Sequence, residues 1–317
     1  SFSVLDKHVR DKPEFSYCHF MAHAIGHGSF ENDPKNWQKT LNKLPQECSY
    51  GASHGLLEQY SASLHKNNES LISKNIMRKI CENQISSCGH ILGHIVLVET
   101  KADIPKALNA CKNLQGAYYK WCLNGVFMEY AYPTTLVQHG LAESSKLKSS
   151  NRLNEFSSFC SGFTDNLISS VCWGEISRGA IANFGSNWEN IFGFCDSAPL
   201  KLAQKTCRDR VVESLVVSRN FEILPLKSLC QSYKSDSDFE RSCYIKLIGG
   251  KMENDLALDN DKGAQFCLSL VESFQKSCFM QIGSSITRRK IYNKIIDIIC
   301  NSAPTQYQHD CHWGRQG

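Results

Sequence analysis

Histidine is concentrated in one part of this sequence, in a pattern typical of metal ligands. Six of the eleven histidines fall within three short segments that each begin at a cysteine. Where a segment holds more than one histidine, a spacing of four residues places the rings on one face of a helix. Neutral imidazoles that converge from several helices are ligands for zinc, copper or iron. The six are His19, His23, His27, His54, His90 and His94.

Carboxylates follow these histidines along the chain. Glu58 lies four residues after His54, and Glu99 lies five residues after His94. Glu129 lies in a fourth segment that also begins at a cysteine. A carboxylate beside an imidazole can act as a general base, bind the metal directly or fix the imidazole tautomer. We predict metal ligands at His23, His27, His54, His94 and Glu99, with His90 in reserve and with Glu58 and Glu129 as catalytic or imidazole-orienting groups.

A structural role for the histidines is the alternative. A single histidine on a glycine-rich helix face is often a buried, hydrogen-bonded packing residue. Six histidines and three acidic residues in aligned positions are costly to bury unless something pairs with them. The set therefore favours a metal centre over packing alone, and we predict a bound transition-metal ion, which would be copper, iron or zinc.

Sixteen cysteines form a second pattern, in which neighbours pair along the chain. Six of the seven close pairs leave ten to twelve residues between partners, and the later pairs recur with a period of about 35 residues. Zinc sites usually leave about two to four residues between cysteines, and that spacing does not occur here. Disulfides persist outside the reducing cytosol, so we predict a periplasmic, cell-surface or secreted protein. The predicted bonds are Cys18–Cys48, Cys81–Cys88, Cys111–Cys122, Cys160–Cys172, Cys195–Cys207, Cys230–Cys243, Cys267–Cys278 and Cys300–Cys311.

The segments around the cysteines have the helical period. Apolar residues recur three and four positions apart, as at Phe156, Phe159 and Phe163, and a polar turn separates the two cysteines of a pair. We therefore predict an all-α fold of about eight disulfide-linked helical hairpins, stacked as an α/α solenoid or closed into a toroid. Residues 1–132 would hold the N-terminal hairpins with the His/Glu cluster, and residues 133–317 would hold plainer repeats of the same continuous array.

In architecture the chain resembles the disulfide-stapled, helical cysteine-rich solenoids, in which each hairpin carries one bond. Its SHG and GHG segments resemble the GxxHG repeats of lanthionine-cyclase-like α/α toroids, and that resemblance implies a zinc ion at the centre of a ring. Those zinc sites use cysteines, whereas pairing consumes every cysteine of this chain. The two resemblances leave an open superhelix and a closed ring as alternatives.

Composition limits the classes of function. Hydrophobic residues make up 42% of the chain and charged residues 21%, which is typical of a globular protein. No apolar run reaches the roughly eighteen residues that a membrane span requires, and a net charge of +4 without a basic stripe argues against nucleic acid. We predict an extracytoplasmic metal-binding repeat protein, leaning towards a redox or hydrolytic metalloenzyme. The alternative is a scaffold that binds a protein or peptide partner on a concave repeat face.

Overall fold

The fold is that of a computed structural model, which describes most of the 317 residues. The segment around Cys48 and residues 132–151 lie outside the description. The described residues are 15–44, 50–67, 69–82, 87–131, 152–184, 187–218, 222–232, 236–254, 260–287 and 293–314.

Seventeen α-helices and no strand form the described part of the chain. After α1 the helices come in pairs, each a short helix of five to ten residues followed by a helix of at least ten. The helices are α1 (Phe15–Asn32), α2 (Trp37–Leu41), α3 (Gly51–Lys66), α4 (Lys74–Cys81), α5 (Ser87–Glu99), α6 (Ile104–Cys111), α7 (Gly116–Ala131), α8 (Arg152–Ser161), α9 (Asn166–Phe184), α10 (Trp188–Asp196), α11 (Lys201–Ser218), α12 (Lys227–Gln231), α13 (Ser237–Asn254), α14 (Asn260–Leu268), α15 (Glu272–Thr287), α16 (Asn293–Ser302) and α17 (Thr305–Gly314).

One disulfide closes each of seven hairpins, between the shorter helix and the helix that follows it. The Cα atoms of bonded cysteines are 5.4–5.7 Å apart, inside the range of about 4.4–6.8 Å that a disulfide requires. Every cysteine whose side chain is described is bonded. The pairs are the seven with the closest spacing in the sequence, from Cys81–Cys88 to Cys300–Cys311. Cys48 and the side chain of Cys18 lie outside the described part of the chain, so the pair Cys18–Cys48 stays a prediction.

The chain divides into two compact units, Ser1–Ile176 and Ser177–Gly317. In the first unit α1 packs along α3, α5 packs along α7, and α3 contacts α5. In the second unit α11, α13, α15 and α17 pack side by side in chain order. The prediction of an all-α fold built from disulfide-linked helical hairpins is therefore confirmed. Its solenoid or toroid form and its division after residue 132 stay predictions.

Short polar side chains set the starts of several helices. Ser73, Asp103 and Asn187 each precede a short helix and accept a hydrogen bond from a backbone N–H of its first turn. Such caps satisfy donors that the helix leaves unpaired, and each contributes about 1 kcal/mol. Asp165 and Asp236 make the same bond ahead of α9 and α13. In these two hairpins the polar turn between paired cysteines thus supplies the start of the next helix.

The disulfides also bear on stability and compartment. A bond that closes a loop of about a dozen residues contributes about 2–3 kcal/mol, largely by restricting the unfolded chain. Seven such bonds are typical of a protein from an oxidising compartment. Among the described helices, none combines the length and the apolar character that a membrane span requires.

An ion-pair network between α11 and α13 gives the second unit a pH-dependent stability. The Glu213 carboxylate lies 2.7 Å from Arg210 on its own helix and 2.7 Å from Lys246 on α13. Burial by itself raises the pKa of Glu213, but the two cations outweigh it and lower the pKa from 4.5 to about 2. A lowered pKa stabilises the folded protein above pH 4.5, and that contribution is lost as the pH falls towards 2.

The replacement Glu213→Gln is therefore expected to cost roughly 2 kcal/mol of unfolding free energy at pH 7 and less than about 0.5 kcal/mol near pH 2. Urea unfolding of both proteins at the two pH values measures the difference. Glu189→Gln is the control, because Glu189 is exposed and its replacement removes the same charge. A cost for Glu213→Gln that stays constant between the two pH values would contradict the prediction.

Candidate metal centre

Three histidine side chains converge inside the first unit, and we call His54, His90 and His94 the interior triad. His54 and His94 are buried, each with 4% of its surface exposed, and His90 is half-buried. One ring nitrogen from each of the three lies within 4.8 Å of the other two. Nε2 of His90 and Nε2 of His94 are 3.0 Å apart. The three rings thus face a common point from two helices, α3 and α5.

A buried carboxylate fixes the orientation of His94. Glu129, on α7, has none of its surface exposed, and its Oε2 atom lies 2.8 Å from Nδ1 of His94. Nδ1 of a neutral imidazole beside a carboxylate carries the proton and donates it in the hydrogen bond, so Nε2 of His94 presents its lone pair towards His90. Metal-bound imidazoles are commonly held in this way, with a carboxylate on one nitrogen and the ion on the other.

The dimensions of the interior triad suit a small transition-metal ion. Imidazole nitrogens around a tetrahedral zinc ion lie about 2.0–2.1 Å from it, and so roughly 3.3 Å from one another. The separation of 3.0 Å between His90 and His94 is close to that value. One nitrogen of the His54 ring lies within 4.8 Å of a nitrogen of each of the other two rings. Three protein ligands leave a fourth position, as catalytic zinc sites do.

A second group lies closer to the surface of the same unit, and we call His23, His27 and Glu58 the outer triad. His23 is 7% exposed, whereas the side chains of His27 and Glu58 are 37% and 29% exposed. Oε2 of Glu58 lies 3.1 Å from Nδ1 of His23 and 3.0 Å from Nε2 of His27. One carboxylate oxygen of α3 therefore faces two imidazoles that are one turn apart on α1.

His54 joins the two triads into one row of side chains. The centroid of its ring lies 5.3 Å from that of His23, 5.2 Å from that of His94 and 6.0 Å from that of His90. The row begins at Glu58 and ends at Glu129, so it has a carboxylate at each end. The sequence predicts one His/Glu centre, whereas the structure arranges the same side chains as two adjacent triads.

Glycines let the helices that carry the triads approach backbone to backbone. A Cβ atom on Gly55 would lie 2.0 Å from the carbonyl oxygen of His23. A Cβ atom on Gly125 would lie 2.1 Å from the carbonyl oxygen of His90. No side chain fits at either position without moving backbone, and real Cβ contacts are more than 3.0 Å long. The glycines thus hold α1 against α3 and α5 against α7 at the histidines themselves.

One short motif recurs in helices α1 and α5. It does not stand out when the segments are aligned on their cysteines. Residues 23–27 read HAIGH and residues 90–94 read HILGH, with a glycine directly before the second histidine. A Cβ atom on that glycine, Gly26 or Gly93, would lie 2.0 or 2.2 Å from a backbone oxygen of the neighbouring helix. The motif therefore marks a histidine pair beside a tight helix contact, and the spacing of the histidines alone does not indicate that contact.

The helix α7 has asparagine where α3 has its histidine. Asn124 precedes Gly125 as His54 precedes Gly55. The Asn124 amide donates a hydrogen bond to the carboxylate of Glu175 on α9, which is 1% exposed. An amide and a carboxylate here take the place of imidazoles, so the donor set that favours transition metals is found only in the preceding helices of the described residues.

Glu99, a predicted ligand, is buried but lies apart from both triads. Its carboxylate accepts hydrogen bonds from the hydroxyls of Ser61 and Ser70 and from the backbone N–H of Leu71. Nε2 of His65 lies 3.4 Å from it. The structure therefore brings together the five histidines predicted as ligands with Glu58 and Glu129, and it places Glu99 at the junction of α3, α5 and the turn before α4.

Comparison of the chain with protein-family models, with curated proteins and with solved structures finds no match. A functional conclusion therefore depends on the geometry of the two triads.

Proposed function

We propose that this chain is an extracytoplasmic metal-binding repeat protein whose resident ion is held by the interior triad. The observation that carries the proposal is the sequence of contacts from Glu129 through His94 to His90. A fully buried carboxylate fixes Nδ1 of one imidazole, and the other nitrogen of that ring lies 3.0 Å from the nitrogen of a second imidazole. An imidazole donor set without a thiolate suits zinc, copper or iron.

The burial of Glu129 supports a cation nearby. A carboxylate removed from water costs several kcal/mol unless positive charge or hydrogen bonds compensate it. The hydrogen bond from His94 supplies part of that compensation. A divalent ion on Nε2 of His94 would lie roughly 7 Å from the carboxylate, and the attraction between them is only weakly screened inside a protein. Metal binding at the triad therefore offsets the cost of burying this charge.

An enzymatic role is favoured over storage, because three protein ligands leave a position for a water molecule or a substrate. A zinc ion there would serve hydrolysis, and a copper or iron ion would serve redox chemistry. Glu129 acts in this proposal as the group that orients His94, since it is closed off from solvent. Glu58 is the better candidate for proton transfer, because its carboxylate is partly exposed.

Replacement of Glu129 by glutamine is expected to weaken metal binding at the interior triad by about 10–100-fold. Glutamine keeps the shape of the side chain and can accept the Nδ1 hydrogen bond, but it lacks the negative charge that makes His94 a stronger ligand. The measurement is a competition titration of metal-free protein with Zn²⁺ and with Cu²⁺ against a chromophoric chelator. We expect at least one tight equivalent in the wild-type protein.

Glu99→Gln is the matched control, since Glu99 is also a buried carboxylate on these helices but lies outside both triads. This variant is expected to keep the wild-type affinity. A scaffold whose histidines serve only packing predicts instead that the wild-type protein takes up neither metal and that its stability is the same with and without them. Either that result, or equal metal affinity in the Glu129→Gln and wild-type proteins, would contradict the proposed function.

A further inference from the structure

We propose that the outer triad is a second metal site, open to solvent and able to take an exogenous ligand. It binds a divalent transition-metal ion through Glu58 and the imidazoles of His23 and His27. A small anion with an oxygen or nitrogen donor completes the coordination on the exposed side. This site goes beyond the resident ion of the interior triad, and its existence does not depend on that ion.

The contacts of Glu58 carry the inference. Two imidazole nitrogens, from His23 and His27 one turn apart on α1, lie 3.1 and 3.0 Å from the same carboxylate oxygen. Without an ion the two rings satisfy that oxygen by donating N–H groups. Transfer of each ring proton to the other ring nitrogen exposes a lone pair on the nitrogen that faces Glu58. Together with the carboxylate oxygen, one nitrogen of each ring then forms a set of three ligand atoms within 4.8 Å of one another.

The ligand types of the outer triad and their exposure to solvent predict which metal ions it binds and whether other ligands can reach them. Two histidines and one carboxylate with open positions are the ligands of non-haem iron(II) centres, and the same set accepts other divalent first-row ions. The side chains of His27 and Glu58 are 37% and 29% exposed, so solvent reaches this site far more readily than the interior triad. The remaining coordination positions are therefore available to water or to a small anion.

Because the two triads are close together, an ion in one lowers the metal affinity of the other. The ring of His54, a ligand of the interior triad, lies 5.3 Å from that of His23, a ligand of the outer triad. Two divalent ions so close together repel each other, and the more exposed one is the less tightly held. We therefore expect the interior triad to fill first and the outer triad to bind at least about tenfold more weakly.

A titration of metal-free protein with Co²⁺, followed by visible absorption and by equilibrium dialysis, tests the second site. The wild-type protein is expected to bind two equivalents in two affinity classes. Azide is expected to change the absorption further once the second equivalent has bound, because the outer triad is exposed to solvent. Glu58→Gln is expected to weaken the second class by about 30-fold or more and to leave the first unchanged.

Glu31→Gln is the control, because Glu31 is an exposed carboxylate on α1, the helix of His23 and His27, and its replacement removes the same charge as Glu58→Gln. Two classes in this variant, with wild-type affinities, are the expected result. A single class that Glu58→Gln leaves unchanged, or a second class that it leaves unchanged, would overturn the second site. If the interior triad binds no metal, one Glu58-dependent class remains alone, so the two proposals fail separately.

Discussion

Replacement of His94 by alanine is expected to reduce metal affinity at the interior triad by at least about 100-fold. The substitution removes one ligand of three and also removes the imidazole that lies 2.8 Å from the buried Glu129 carboxylate. A buried carboxylate that loses one of its hydrogen-bond donors costs about 1–3 kcal/mol of folding stability. Isothermal titration of the metal-free variant with Zn²⁺ measures the affinity, and circular dichroism reports whether the helices are kept.

A second variant separates lost ligation from lost folding. Asparagine is the natural residue at position 124, which corresponds to His54 in the neighbouring helix pair, and it is accommodated next to Gly125. His54→Asn should therefore keep the packing of α3 and leave the bond between Glu129 and His94 intact. We expect the helical content and thermal midpoint to stay close to those of the metal-free wild-type protein, with a loss of Zn²⁺ affinity of about 100-fold.

His312→Asn is the control for both variants, because His312 lies in the second unit, on α17, where its Nε2 atom is 3.1 Å from Oδ1 of Asn301. Its Zn²⁺ affinity should match that of the wild-type protein. Wild-type affinity in the folded His54→Asn variant would remove this residue from the site. Wild-type affinity in both variants would leave the interior histidines as packing residues.

The second large effect is a loss of stability, expected when one methyl group is added at the contact between two helices. Gly55→Ala would place a Cβ atom 2.0 Å from the carbonyl oxygen of His23. That oxygen belongs to the backbone, so it cannot move aside as the end of a flexible side chain can. The helices α1 and α3 must separate to admit it, and overpacking of this kind costs about 1–3 kcal/mol, or more where backbone must move. We expect a loss of about 3 kcal/mol, measured by urea unfolding of the metal-free protein.

Gly28→Ala is the matched control, since Gly28 lies in α1 and a Cβ atom there would have nothing within 4 Å. Alanine has the higher helix propensity by about 1 kcal/mol, so this variant should be as stable as the wild-type protein or slightly more stable. Both replacements gain the same propensity, and the difference between them therefore measures the clash. Equal stability of the two variants would mean that α1 and α3 are further apart than described.

The hairpins could be predicted from the sequence because their determinants are local. A disulfide partner that lies seven to thirteen residues away is constrained by the chain itself, and a polar turn with Asp165 or Asp236 marks where the next helix starts. The triads depend instead on which helix faces pack together. That packing is set by backbone contacts at glycines such as Gly26 and Gly55, and their partners are in another helix.

Helix geometry also accounts for the different positions of the acidic residues. Each residue advances about 100° around a helix, so a spacing of five places Glu99 roughly 140° away from His94. The Glu99 side chain accordingly meets Ser61 and Ser70 and not the triad. Spacing along one helix places Glu58 near His54, yet two imidazoles of α1 lie within 3.1 Å of its carboxylate, because α1 packs directly on α3. Partners across helices cannot be read from spacing along one of them.

If the interior triad holds a metal ion, the position of that ion can be determined directly. Crystals of the zinc-loaded protein, measured on both sides of the zinc absorption edge, would give an anomalous difference map. We expect a peak about 2.0–2.1 Å from Nε2 of His90 and of His94, with the His54 ring turned towards it. A zinc-saturated crystal with no peak between these rings, or with peaks only at exposed histidines such as His312, would contradict it.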